Sequence, residues 1–131
     1  MKILSIAVPC YNSEAYMEKC IDSLLVGGEE VEILIVDDGS KDHGGAVNTG
    51  VENATGLYFK VVDSDDWVNP EAYQKILNVL AEVVRGPKTL DLLISNYVYE
   101  KEGAKRKRVM RYAKSLPEGR FFGWDEAKAL G

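Results

Sequence analysis

The chain opens on a run that is apolar almost without interruption, Ile3-Leu4-Ser5-Ile6-Ala7-Val8. That is the pattern of a strand covered on both faces, as in a parallel sheet. Pro9 is expected to stop it, because proline cannot extend the ladder. Asn12 or Ser13 then caps a helix, with Glu14 in the first turn where the dipole favours an acid. Met17, Cys20, Ile21, Leu24 and Leu25 recur at helical spacing, and Gly27-Gly28 closes the helix. A second apolar run, Val31 to Val36, ends on Asp37-Asp38-Gly39-Ser40. Strand, helix and strand joined by short links predict a right-handed βαβ unit and an α/β fold.

The next stretch is cramped. Asp37 to Asp42 leads towards a helix, yet His43-Gly44-Gly45 begins another glycine loop at once. A weak helix over Ala46 to Ala54 follows and ends at Thr55-Gly56. This barely reaches the ~10–12 residues that a crossover to a parallel strand needs. A third strand is predicted over Leu57 to Val62, running into Asp63-Ser64-Asp65-Asp66. Asn69-Pro70 caps and starts a helix with Tyr73, Ile76, Leu77, Leu80 and Val84 on its apolar stripe, and Gly86-Pro87 stops it. Leu90 to Tyr99 reads as a fourth strand, Arg106 to Tyr112 as its antiparallel hairpin partner at a sheet edge, and Asp125 as the start of a short helix. The expected strand order is 2-1-3-4, which opens a crevice between the first and third strands.

Composition adds limits. At 131 residues, 46% hydrophobic and 28% charged, the chain reads as one soluble globular domain. No apolar run approaches the ~20 residues of a membrane span, and the N-terminus enters a strand directly, unlike a secretory signal. Cys10 and Cys20 have no zinc-type spacing and read as reduced thiols of a cytosolic protein. A net charge of −5 argues against nucleic acid as a partner. The lone His43 reads as an exposed loop residue. The basic cluster Lys105-Arg106-Lys107-Arg108 with Arg111 reads as a solvated hairpin tip, with a seat for acidic lipid headgroups as the minority alternative.

The candidate chemistry lies where three strands end: Pro9-Cys10-Tyr11-Asn12, Asp37-Asp38-Gly39-Ser40 and Asp63-Ser64-Asp65-Asp66. An isolated Asp-x-Asp is more often a solvated acidic turn capping the next helix. Here, though, three carboxylates crowd the carboxyl end of a strand, where open α/β sheets keep their ligands. Like charges so close raise one another's pKa unless a cation sits among them. Hard carboxylate oxygens suit Mg²⁺ or Mn²⁺. With Tyr11 to stack on a base and Asp38 to accept a base N–H, the three ends suit a nucleotide diphosphate. No Gly-x-Gly-x-x-Gly follows the first strand and no Walker sequence occurs, which disfavours dehydrogenase and P-loop chemistry.

Four segments together, Ser-Ile-Ala-Val-Pro-Cys-Tyr-Asn, Ile-Leu-Ile-Val-Asp-Asp-Gly-Ser-Lys-Asp, Gly-Gly-Ala-Val-Asn-Thr-Gly and Val-Asp-Ser-Asp-Asp-Trp, resemble the donor half of glycosyltransferase family 2. The resemblance covers Ile3 to about Ala72 strongly. It implies a Rossmann-like GT-A fold with a mostly parallel sheet flanked by helices. It also implies transfer of a sugar, with inversion, from a nucleotide-diphospho donor, usually UDP-linked, to a sugar or lipid-linked acceptor hydroxyl. By position, Pro9, Tyr11 and Asp38 would flank the nucleobase, with Ser64 also on the nucleotide side. Asp63 and Asp65 would be the metal-binding pair, Asp65 the direct ligand to Mn²⁺ or Mg²⁺. The implied setting is polysaccharide or glycoconjugate synthesis in the cytoplasm, at the inner face of the membrane.

The chain departs from the family pattern in three places. A helix and a strand normally separate Asp42 from His43, so the domain is expected to be incomplete there and at its C-terminus. Val47 stands where many members carry arginine. No residue is assigned as general base; Asp125 and Glu126 are the late acidic candidates, and neither is chosen. The alternative reading is a non-catalytic nucleotide-sugar-binding module.

Overall fold

The computed structural model describes residues 2–10, 14–37, 43–87, 90–93, 97–99 and 108–110, together with residues 120, 121, 123, 125 and 128. The chain divides into two compact units, Met1–Pro87 and Lys88–Gly131.

The first unit runs β1 (Leu4–Pro9), α1 (Glu14–Leu25), β2 (Val31–Val36), α2 (His43–Asn53), β3 (Tyr58–Val61) and α3 (Pro70–Arg85). Its sheet has the order β2-β1-β3, parallel throughout, with Leu4 opposite both Val31 and Tyr58. The central position of β1 explains its composition: Leu4, Ser5, Ile6, Ala7 and Val8 are all buried. The order of the first three strands is the expected one, with β1 between β2 and β3. Pro9 belongs to β1, opposite Val36, rather than ending it. Along β1, the N–H groups of Leu4 and Cys10 bond to β2, at Glu30 and Val36, so those of residues 5, 7 and 9 face β3. The donor that proline lacks is thus missing only on the β3 side, where pairing stops at Ala7–Val61, while Cys10 N–H still reaches Val36 C=O at 2.9 Å.

The two faces of the sheet are covered differently. Ala7, Val36 and Ala46 form a buried cluster under α2, and a Cβ placed on Gly50 would lie 2.7 Å from the Ala7 Cβ. Small residues let this short helix lie close to the strands. Gly44 and Gly45 are part of α2 and not a preceding loop. The opposite face carries Leu4, Ile6 and Val31, and Val31 and Tyr73 both lie close to Gly27, just after α1. There the Tyr73 hydroxyl donates to Leu24 C=O at 2.9 Å, and Tyr73, Leu77 and Leu80 are the buried residues of α3. Gly28 adopts φ 77, a left-handed value that suits glycine, after α1 ends. Asn69 caps α3 as expected, its Oδ1 accepting from Glu71 and Ala72 N–H.

The second unit corrects the fourth-strand expectation. Leu90–Leu93 is not strand. Tyr97–Tyr99 (β4) pairs antiparallel with Arg108–Met110 (β5) in a separate two-stranded sheet. The hairpin partnership holds, but it is not an extension of the parallel sheet. Asp125 and Lys128 are helical. The basic cluster at 105–107 and Arg111 lie outside the described residues.

Candidate functional site

The acidic segment is a tight turn at the carboxyl end of β3. The Asp66 N–H donates to Asp63 C=O at 2.9 Å, and Val62 N–H returns to Ala7 C=O at 3.0 Å, so the turn begins as soon as the ladder ends. The chain reversal brings one carboxylate oxygen from each of Asp63, Asp65 and Asp66 within 4.8 Å of the others. Asp65 and Asp66 are exposed, Asp63 half-buried and Ser64 buried. Partial desolvation raises the Asp66 carboxyl above the usual range, the neighbouring charges of Asp65 and Asp63 push the same way, and Lys60 pulls against them. Asp66 thus joins the expected pair of Asp63 and Asp65 as a third possible ligand.

Helix α1 holds this turn from behind. The Cys20 thiol donates to Asp63 C=O at 3.5 Å. Ser23 Oγ accepts from Val68 N–H at 3.2 Å while donating to Cys20 C=O at 2.7 Å. The Lys19 ammonium sits 3.6 Å from the centre of the Trp67 ring, a cation–π contact. Burial, then the charges of Asp66, Cys10, Asp63 and Asp65, push the Cys20 thiol up to about 11. Sequence reading placed Cys20 only on an apolar stripe and missed Lys19 and Ser23. The available signal was that both flank that stripe on a helix leading out of the central strand.

Pro9 lies at the carboxyl end of β1, beside the end of β2 at Val36. Cys10 follows, its thiol donating to Val8 C=O at 3.4 Å and lying 3.2 Å from Met17 Sδ. Tyr11 and Asp38 lie outside the described residues; the strands that precede them in sequence, β1 and β2, are adjacent and parallel. The Asp42–His43 junction also lies partly outside them.

The glycosyl transferase family 2 model matches residues 5–44 and 41–117. The chain belongs to glycosyl transferase family 2. Its parallel sheet with flanking helices is accordingly part of a GT-A, Rossmann-like fold.

Among similar proteins, the glycosyltransferase GlyA of Streptococcus pneumoniae is 31% identical over 113 residues, covering 63% of this chain and 16% of GlyA. EpsJ of Bacillus subtilis, named as a glycosyltransferase, is 33% identical over 100 residues, covering 56% of this chain and 29% of EpsJ. EpsH of the same organism, also named as a glycosyltransferase, is 30% identical over 163 residues, covering 94% of this chain and 46% of EpsH. The chain therefore spans less than half the length of each of these relatives. Each alignment is also longer than the part of this chain that it uses. For EpsH, 163 positions face fewer than 131 residues, so more than thirty EpsH positions have no counterpart here. The two stretches of the family match meet at 41–44. Among the described residues no helix is long and apolar enough to cross a membrane.

Proposed function

We propose that this chain is the donor-binding part of a glycosyltransferase that moves a sugar from a nucleotide-diphospho donor, UDP-linked, to the hydroxyl of a sugar or lipid-linked acceptor, with inversion. The observation that carries this reading is the acidic turn Asp63–Asp66 at the carboxyl end of β3, directly beside β1, in a family 2 chain. Pro9 and Tyr11 at the end of β1 and Asp38 after β2 would bind the nucleobase, with Ser64 on the nucleotide side of the turn.

The donor set fits a divalent cation. Three hard carboxylates converge within 4.8 Å, and partial burial, joined by the charges of Asp65 and Asp63, holds Asp66 above its ordinary pKa, so a Mg²⁺ or Mn²⁺ ion would offset both the lost hydration and the repulsion. Asp63 and Asp65 would hold it, with Asp66 the third carboxylate within reach. A cation bound there supplies Lewis-acid stabilisation of the charge that develops on the departing diphosphate. The protein's own part is to fix the carboxylates: the Asp63–Asp66 turn sets their spacing, and α1 anchors that turn through Cys20, Ser23 and Lys19. The biological setting we favour is polysaccharide or glycoconjugate synthesis on the cytoplasmic side of the membrane.

The test is a thermal-shift panel of nucleoside diphosphates and their sugars, with and without Mn²⁺. A ligand of the native state at 100 times its Kd adds about 2.7 kcal/mol of apparent stability. The reading expects a shift with UDP or UDP-sugars that grows with Mn²⁺. A panel in which no nucleotide shifts the melting point, with or without metal, would overturn it.

A further inference from the structure

One turn of α1 clamps the acidic segment at both ends. At the near end, Asp63 C=O accepts from two donors, the Asp66 N–H at 2.9 Å and the Cys20 thiol at 3.5 Å. At the far end, the Val68 N–H donates to Ser23 Oγ at 3.2 Å. The Ser23 hydroxyl in turn donates to Cys20 C=O at 2.7 Å. The bonds form one path, from Val68 to Ser23, from Ser23 to Cys20 and from Cys20 to Asp63. Asp65 and Asp66 lie between its two ends in the chain. On the acidic segment the path ends on backbone atoms and takes up no carboxylate oxygen.

The anchorage matters because of what it restrains. Asp63, Asp65 and Asp66 bring carboxylate oxygens within 4.8 Å of one another, and like charges at that spacing push the segment open. Asp65 and Asp66 are exposed, so the restraint comes through the backbone. Its fixed point is Cys20, which is completely buried, and the half-buried Ser23 connects that point to Val68. A segment already closed binds a cation more tightly than one that the cation must close.

Taking the acidic turn as the cation site of the donor, we propose that Ser23 is a positioning residue for that cation. Its hydroxyl, bonded to Val68 N–H and to Cys20 C=O, holds the three carboxylates at metal-binding spacing before the ion arrives. Neither of these bonds reaches a carboxylate, so Ser23 acts on the metal only through the segment it ties down.

Ser23→Ala removes both bonds, whereas Ser23→Thr keeps them, since a helical threonine hydroxyl reaches the carbonyl three residues back. Calorimetric titration of the full chain with UDP, in Mn²⁺ and again in EDTA, gives the factor by which the metal tightens UDP. Ser23→Ala should cut that factor about tenfold or more, with UDP affinity in EDTA unchanged, and Ser23→Thr should restore it. Cys20→Ala breaks the path at its other end and should act likewise; it decides alone if Ser23→Ala fails to fold by circular dichroism. Tyr73→Phe removes a different bond to α1, at Leu24 C=O, and should leave the factor intact. A wild type in which Mn²⁺ does not tighten UDP overturns the metal assignment and the positioning role together. A factor kept in folded Ser23→Ala, or lost equally in Tyr73→Phe, overturns the positioning role alone.

Discussion

The Cys20 thiol donates to the carbonyl of Asp63 across 43 residues of sequence, tying the second turn of α1 to the first carboxylate of the acidic turn. Cys20 is completely buried and its ionisation is pushed up to about 11, whereas Cys10 is partly exposed. A thiol reagent at mildly alkaline pH should therefore titrate Cys10 alone in the native protein and both cysteines in denaturant, because the thiolate is the reacting species. Rapid modification of both in the native state would contradict the packing of α1 against the turn.

Asp65 separates metal binding from simple helix support. Asp65→Asn should abolish Mn²⁺-dependent binding of UDP and leave ligand-free stability level or slightly higher, since neutralising one of three crowded carboxylates relieves repulsion. If the carboxylate served only the nearby N-terminus of α3, its loss would cost about 0.3–1 kcal/mol, and UDP affinity would not change. Titration of both proteins with UDP and Mn²⁺ distinguishes the two; equal affinities would end the metal assignment.

Gly50→Ala tests the close approach of α2 to the sheet. Alanine favours a helix by up to about 1 kcal/mol over glycine. Here, however, the new Cβ would lie 2.7 Å from the Ala7 Cβ, on a strand fixed by partners on both sides. Overpacking of this kind typically costs about 1–3 kcal/mol. The expected outcome is net destabilisation, visible as a lower urea midpoint with little change in slope. A midpoint at or above wild type would mean that α2 rides further from the sheet.

Tyr73 predicts an alkaline limit. Burial pushes its hydroxyl from 10.0 up to about 12. As pH rises past 10 the unfolded chain loses this proton first, so the unfolded state gains relative to the native one. The group's contribution is complete below pH 10 and is lost as pH approaches 12. Tyr73→Phe should lose the bond to Leu24 C=O, about 0.5–1.5 kcal/mol at neutral pH. Its stability should then fall less steeply above pH 10, measured by denaturant midpoints from pH 7 upward. Parallel pH profiles for the two proteins would contradict the role of Tyr73.

Local pattern alone was enough to determine β2 at Val31–Val36, the Asn69 cap and stop of α3, and the α/β alternation, because helical and strand periodicity record which face of each segment is buried. The acidic turn was legible for the same reason: a strand signal ends where three carboxylates begin. Tertiary structure alone decided the rest. That Pro9 interrupts pairing on one side of β1 depends on which neighbour its missing N–H would have met. That β4 pairs with β5 depends on a partner that lies outside any local window. The bracing of the turn by Lys19, Cys20 and Ser23 joins residues more than forty positions apart. Periodicity reports that a side chain is buried; only the assembled fold supplies the atom it is buried against.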